Sequence, residues 1–328
     1  VANWRALDAL SGRAACGAAV KADGYGLGAV DIASRLARAG CRNFFVATWA
    51  EAEALQPLDL PVSVLHGIRS GDLTLAKADI ARPVLSTPAQ VALWKTSGGG
   101  ACDVMVDTGM NRLGVSPDEI AQGLLDGLAI ETLMSHLACA DEDSPMNDIQ
   151  RIALAALAGR TSARRMSLAN SAGIALGPDY AFDLTRPGLA LYGGIPRGEL
   201  SGRIGQVATP EAQIIQRRRV HSGQTVGYNA AFTATAPVEV AILNIGYADG
   251  YWCGFSGRGA ALVGGERLLV LGRISMDLTA IDVTAAPELV EGDWVAIDYA
   301  LPTASAASGM SQYELLTGLG NRFDRVWA

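Results

Sequence analysis

From residue 14 to residue 194 the chain repeats one unit: a short apolar run, a turn, then apolar residues at helical spacing. Residues 14–20 are small and apolar throughout and are broken by Asp23-Gly24. Residues 30–39 follow with helical spacing and stop at Gly40. The pairing recurs with strand patterns at 44–48, 62–66, 83–86, 103–107, 132–136, 166–170 and 183–186. Ser116-Pro117-Asp118-Glu119 opens one helix with an N-cap residue, a proline at the first helical position and two early acids. Continuous apolar strands alternating with helices predict a parallel sheet covered on both faces. Eight such units fit an α/β fold of the (β/α)8 TIM-barrel type, at the compact end of its size range. A doubly wound open sheet is the alternative.

Polar residues close each predicted strand: Lys21, Thr48, His66, Ser86, Asp107, His136, Ser171 and Arg186. That is the rim where barrel enzymes place their chemistry, although strand ends are polar wherever loops begin. After Tyr192-Gly193-Gly194 and a Pro/Gly/Arg linker, strand patterns take over at 211–220, 238–246, 267–270, 274–283 and 293–299. One helical pattern, 311–319, comes late. The expected division is a barrel over 1–200 and a mainly antiparallel β domain over 201–328.

Composition narrows the function classes. Half of the 328 residues are hydrophobic and 18% are charged, enough to bury a large core and to argue against disorder. The 26 basic and 33 acidic residues leave a net charge of −7, with no basic stripe to neutralise phosphates, so no nucleic-acid partner is expected. Arg217-Arg218-Arg219 reads as a solvated strand edge. No apolar stretch approaches the roughly 20 residues of a membrane span. Five cysteines without metal or disulfide spacing point to no metal and to a reducing compartment. There is no signal peptide, and the expected location is cytoplasmic; the chain also lacks an initiator Met, which leaves a trimmed targeting segment open as the alternative.

Lys21 is the strongest single signal. It follows a wholly small or apolar strand and precedes a turn, so its ammonium is expected at a partly desolvated rim. Desolvation favours the neutral amine, the nucleophile that builds Schiff bases. The plainer alternative is a lysine that snorkels to solvent.

Val20-Lys21-Ala22-Asp23-Gly24-Tyr25-Gly26-Leu27-Gly28 resembles the pyridoxal-phosphate lysine motif of alanine racemases. The resemblance continues in order through Asp107-Thr108-Gly109-Met110-Asn111-Arg112-Leu113-Gly114, Asn170-Ser171-Ala172-Gly173, Arg186-Pro187-Gly188 and Gly227-Tyr228. It ends with Gly246-Tyr247-Ala248-Asp249-Gly250-Tyr251, Gly272-Arg273-Ile274-Ser275-Met276-Asp277 and Tyr313-Glu314. It implies a pyridoxal 5'-phosphate (PLP) racemase that interconverts L- and D-alanine, a peptidoglycan precursor. Racemisation takes a proton from one face of the amino acid and returns one to the other, so two opposed bases solve the geometry. The family uses the lysine matching Lys21 and a tyrosine matching Tyr228 that reaches over from a partner subunit, in a head-to-tail homodimer with shared sites. A free phenol is a weak base at neutral pH, so that tyrosine needs cationic or donor neighbours.

The resemblance assigns further roles. Arg186 matches the arginine facing the pyridine nitrogen; a donor-only guanidinium leaves that nitrogen unprotonated, which weakens the ring as an electron sink and favours racemisation over decarboxylation. Its plainer reading is a pair with a barrel acid such as Asp183. His136 corresponds to a histidine supporting that arginine. Ser171, the backbone of Gly188 and Leu189, Tyr25 and Tyr313 match the phosphate site. Arg112, Tyr247 and Met276 match residues that orient the substrate carboxylate or line the access channel.

Two positions depart from the family pattern. Met105 stands where some members carry a carbamylated lysine, so Asn111 or a bound anion is the candidate for orienting Arg112. Ser167 stands where a second supporting histidine is found. The opening strand of typical members has no counterpart at the start of the chain. Competing readings are a racemase of serine, lysine or arginine, an amino-acid decarboxylase on the same scaffold, a non-catalytic PLP carrier, and a barrel enzyme without PLP.

Overall fold

The computed structural model describes residues 1–327, which divide into two compact units, Val1–Gly205 and a second that begins at Gln206. In the first unit nine short strands are β1 (Ala15–Cys16), β2 (Ala18–Ala19), β3 (Phe44–Val46), β4 (Val62–Val64), β5 (Arg82–Leu85), β6 (Ala101–Met105), β7 (Ala129–Met134), β8 (Arg165–Ser167) and β9 (Leu184–Thr185). Strands β2 to β8 form a parallel seven-stranded sheet in chain order, and β1 pairs in parallel with β9.

β1 and β2 are one strand interrupted at Gly17, and this strand closes the sheet. Ala18 and Val20 donate their N–H groups to Asn43 and Phe45, both at 2.8 Å, while Gly17 and Ala19 donate to Thr185 and Pro187, both at 2.9 Å. On the other side, Asp183 donates to Met166 (3.0 Å) and Arg186 to Ala169 (2.8 Å), joining β8 to β9. Backbone bonding therefore runs full circle, as a barrel requires. Gly17 is needed there: a Cβ would lie 2.9 Å from the Phe45 ring and 3.0 Å from the Asn43 carbonyl.

Between the strands lie helices such as Ala29–Ala39, Trp49–Leu55, Pro88–Thr96 and Pro145–Ala155. Their starts follow local chemistry. Ser116 Oγ accepts the N–H of Glu119 at 3.2 Å, and Glu119 accepts the Ser116 N–H at 2.8 Å, a reciprocal cap ahead of Pro117. Val64, Val84, Leu85, Val104, Leu133 and Met134 are fully or almost fully buried, each such burial being worth about 1.5–3 kcal/mol.

The second unit contains β10 (Glu211–Val220), β11 (Thr225–Val226), β12 (Phe232–Thr233), β13 (Val238–Leu243), β14 (Ala260–Val263), β15 (Glu266–Leu271), β16 (Thr279–Asp282) and β17 (Trp294–Ile297). Six of these close an antiparallel barrel in the order β10-β13-β16-β15-β14-β17, and β11 and β12 make a separate hairpin. Two helices, Leu301–Ser308 and Gln312–Thr317, follow. Residues 244–246 and 274–278, expected as strand, are loop, because Gly246 packs against the Ser275 and Met276 carbonyls, both 2.4 Å from where its Cβ would be. Arg217 and Arg219 lie on β10 opposite β13, 3.9 and 3.8 Å from the Glu239 carboxylate. Among the described residues no helix is long and apolar enough to cross a membrane.

Candidate active site

β2 delivers Lys21 to the C-terminal end of the first unit's sheet, and the chain turns at once. Ala22, Asp23, Gly24 and Tyr25 have φ values of 53°, 50°, 62° and 55°. A left-handed run that includes non-glycine residues is strained, and such strain gathers at functional sites. Asp23 Oδ1 secures the turn by accepting the N–H of Ala29 at 2.8 Å. Lys21 is half-buried. Burial pulls its amine below the usual lysine range, the Arg112 guanidinium pulls the same way, and Glu51 opposes both. The neutral, nucleophilic amine is thereby favoured.

Arg186 is buried, and burial lowers its pKa to about 10, with Asp103 opposing. It stays a cation at neutral pH. Its guanidinium donates to Ser167 Oγ, to the Ser135 carbonyl at 2.5 Å and to the Leu168 carbonyl at 3.5 Å. These partners are all neutral. Asp183 does not pair with it: Asp183 Oδ2 accepts the N–H of Met166 at 2.7 Å. Ser167, where a supporting histidine was expected in the family pattern, accepts from Arg186 and donates onward to the Leu184 carbonyl. His136 lies among the cations: burial first, then Arg186, Arg112 and Lys21, lower its pKa to about 3, so the imidazole is neutral.

Ser171 Oγ accepts the N–H groups of Gly188 (3.0 Å) and Ala190 (3.1 Å), which fixes the backbone on either side of Leu189 and leaves the hydroxyl proton free to be donated. Tyr25 is buried and stacks on Tyr192 with ring centroids 4.6 Å apart. A Cβ on Gly188 would stand 2.1 Å from the Tyr25 hydroxyl, so only glycine admits that hydroxyl beside the Ser171 loop. Tyr192, read in the sequence only as part of a domain boundary, is a site residue by this packing: its hydroxyl donates to the Ala19 carbonyl at 2.8 Å, just ahead of Lys21.

Arg112 is exposed and lines an open cavity of about 390 Å³ with Ser86, Thr87, Asp107 and Asn111. Asp107 Oδ1 accepts the N–H groups of Gly109 (2.9 Å) and Asn111 (3.1 Å) and so shapes the loop. Asn111 serves that loop as well, with φ of 54° and its amide donating to the Gly109 carbonyl at 3.4 Å. Met105 is a buried apolar side chain. Thr48, another polar strand end, is a helix cap.

In the second unit, Tyr228 is 67% exposed and follows β11 after Gly227, whose φ is 76°. Tyr247 donates its N–H to Ser275 (3.0 Å) and Ala248 donates to Met276 (2.9 Å), so the loops carrying Tyr247 and Met276 are adjacent. Gly227 packs beside Arg273, with 3.7 Å from a notional Cβ to its backbone, which sets Tyr228 in the neighbouring loop. Tyr313 is half exposed on the helix Gln312–Thr317. Arg322, for which the sequence carried no signal, bridges Asp249 (3.1 Å) and Asp277 (2.6 Å) and ties the two loops together. Among the described residues no cluster of metal ligands occurs.

Known proteins with the same organisation give this geometry its family. Residues 1–196 match the model of the alanine racemase N-terminal domain, and residues 207–327 that of the alanine racemase C-terminal domain. An alanine racemase of Acidiphilium cryptum is 43% identical over 341 residues, covering 99% of this chain and 95% of the relative. A biosynthetic alanine racemase of Agrobacterium fabrum is 39% identical, and a catabolic one from the same organism 40%, each covering 99% of this chain and about 90% of the relative. The crystal structure of alanine racemase from Bartonella henselae with covalently bound pyridoxal phosphate superposes with a TM-score of 0.91 at 34% identity, covering 100% of this chain and 96% of that one. This chain belongs to the alanine racemase family.

Proposed function

We propose that the protein interconverts L- and D-alanine on pyridoxal 5'-phosphate, with Lys21 and Tyr228 as the two bases. The single observation that carries this reading is the half-buried Lys21 amine, held below the usual lysine range on the same rim as a buried Arg186 with only neutral hydrogen-bond partners.

The residues present suit the coenzyme. The Ser171 hydroxyl and the backbone at Gly188 and Leu189 are donors of little net charge, appropriate to a phosphate dianion. The Tyr25 hydroxyl stands against Gly188, where any larger residue would displace it. Tyr313 is assigned to the same phosphate by family likeness. Lys21 Nζ is the attachment point. Arg186 can only donate, so it suits an unprotonated pyridine nitrogen, and neutral His136 adds no further cation beside it. When bound, pyridoxal phosphate supplies a carbonyl that condenses with amines and a conjugated ring that withdraws electrons from the substrate Cα.

The protein's own groups then do the remaining work. Lys21 Nζ, with its affinity for protons reduced by burial, takes or returns the Cα proton on one face. The Tyr228 hydroxyl serves the other face. We assign it to a partner subunit in a head-to-tail homodimer, which fits a tyrosine 67% exposed in the single chain. Arg112 and the Met276 loop orient the substrate carboxylate, and Tyr247 lines the approach. The same interconversion supports supply or consumption of D-alanine, in keeping with the similar likeness to a biosynthetic and a catabolic relative. Five free thiols suit a cytoplasmic location.

A chiral assay over alanine, serine, lysine and arginine, with and without added pyridoxal phosphate, tests the reading. D-alanine formed fastest from L-alanine, only with the coenzyme bound, is the expected result. Net loss of the α-carboxyl group, or inversion of another amino acid in preference, would overturn it.

A further inference from the structure

One carboxylate outside the coenzyme cradle holds two neighbouring strand ends together. Glu51 is the third residue of the helix Trp49–Leu55, and Thr48 caps that helix by accepting the Glu51 N–H at 3.3 Å. In such a cap the acid normally returns one bond, to the N–H of the capping residue. Glu51 does more. Its Oε2 accepts the N–H of Thr48 at 3.1 Å and of Ala47 at 2.7 Å, both after β3. Its Oε1 reaches across to the turn that follows the neighbouring strand β2 and accepts the N–H of Ala22 at 2.7 Å.

Ala22 is the residue immediately after Lys21 and the first of the left-handed run. Non-glycine residues hold that conformation only where their surroundings over-determine it, and the Glu51 bond supplies one such restraint. We propose that Glu51 is a positioning residue for Lys21, fixing the backbone on which the amine turns from strand into the coenzyme cradle. This rests on Lys21 being the coenzyme-bearing lysine. Of the charged and titratable groups facing the amine, Arg112 and His136 come from the loops after β6 and β7 and Glu51 from the helix after β3; Glu51 is the negative one. It therefore also opposes the loss of the amine's proton.

The first measurement uses the unaltered holoenzyme. The Ala22 amide should exchange its hydrogen at least about tenfold more slowly than an unprotected one, although its side chain is exposed. Glu51→Gln leaves one acceptor oxygen where two are used, and Glu51→Asp keeps the charge but is too short to reach both strands; each should lose that protection. The second measurement is competitive amine labelling of the coenzyme-free protein against pH, with Lys77 and Lys95, the other two lysines, as internal references. The Lys21 midpoint should move to lower pH by roughly half a unit to one unit in Glu51→Gln and stay near wild type in Glu51→Asp. In the holoenzyme, Glu51→Gln should lower kcat about tenfold with KM little changed. Rapid exchange at Ala22 in the wild type, which decides the matter even if Glu51→Gln does not fold, would overturn the proposal. So would a Glu51→Gln protein with the wild-type midpoint and kcat. A wild-type protein that neither takes up pyridoxal phosphate nor racemises alanine would instead overturn the reading of Lys21.

Discussion

Burial acts on two cations at the rim of the first unit with different consequences. For Lys21 it brings the neutral amine within reach; for Arg186 it lowers the pKa only to about 10, so the charge persists. Lys21→Ala should therefore leave pyridoxal phosphate that borohydride cannot trap on the protein, read by mass spectrometry. Retained covalent label would refute the assignment. Gly188→Ala forces a methyl group against the Tyr25 hydroxyl and should weaken coenzyme affinity by about tenfold or more. An equilibrium titration with the coenzyme reads that loss, and unchanged affinity would contradict the placing of the Tyr25 hydroxyl in the phosphate cradle. His136 carries a pH prediction. Its folded pKa of about 3 lies below the ordinary histidine value of 6.5, so well above pH 6.5 it is neutral in both states and contributes no pH dependence. As pH falls from 6.5 towards 3, the unfolded chain binds a proton that the folded protein refuses, and stability drops by up to about 1.4 kcal/mol per unit from this group. Denaturant titrations should show a shallower acid slope in His136→Gln than in wild type.

Elements differ in how much of them could be read in advance. Every strand pattern of the first half corresponds to a strand, because apolar side chains on both faces of a parallel sheet leave a strong mark. The patterns ran on to rim residues such as His66 and His136, beyond β4 and β7, since the apolar pattern does not stop where the ladder does. In the second unit the hairpin β11–β12, strand β14 and the helix Leu301–Ser308 leave no clear mark in the sequence: the first is very short, and the last is built of small residues with little amphipathic contrast. Of the candidate site, the family motifs supplied Lys21, Arg112, Ser171 and Arg186. The resemblance also marked Ser167 as a position behind Arg186, while the supports contributed by Tyr192, Ser135 and Arg322 come from distant elements and leave no local pattern. Arg322→Ala should loosen the Tyr247 and Met276 loops, raising KM for alanine several-fold with little change in Tm. An unchanged KM would mean that the ion pairs to Asp249 and Asp277 do not set the substrate site.

At the scale of the whole molecule, each unit carries part of the proposed chemistry. The first holds the Lys21 amine, Arg112, Arg186 and the Ser171 loop; the second presents the exposed Tyr228 with the Tyr247 and Met276 loops and carries Tyr313. A head-to-tail dimer pairs the first unit of one copy with the second unit of another, so two subunits inactivated at different positions can complement each other. Mixing Lys21→Ala subunits with Tyr228→Phe subunits, under conditions where subunit exchange is verified, is the most direct test. In each mixed dimer one site contains both changes and the other neither. The account predicts that racemase activity returns to about a quarter of wild type, the statistical share of intact sites after random exchange. Mixed dimers with no activity beyond that of the separate variants would contradict it.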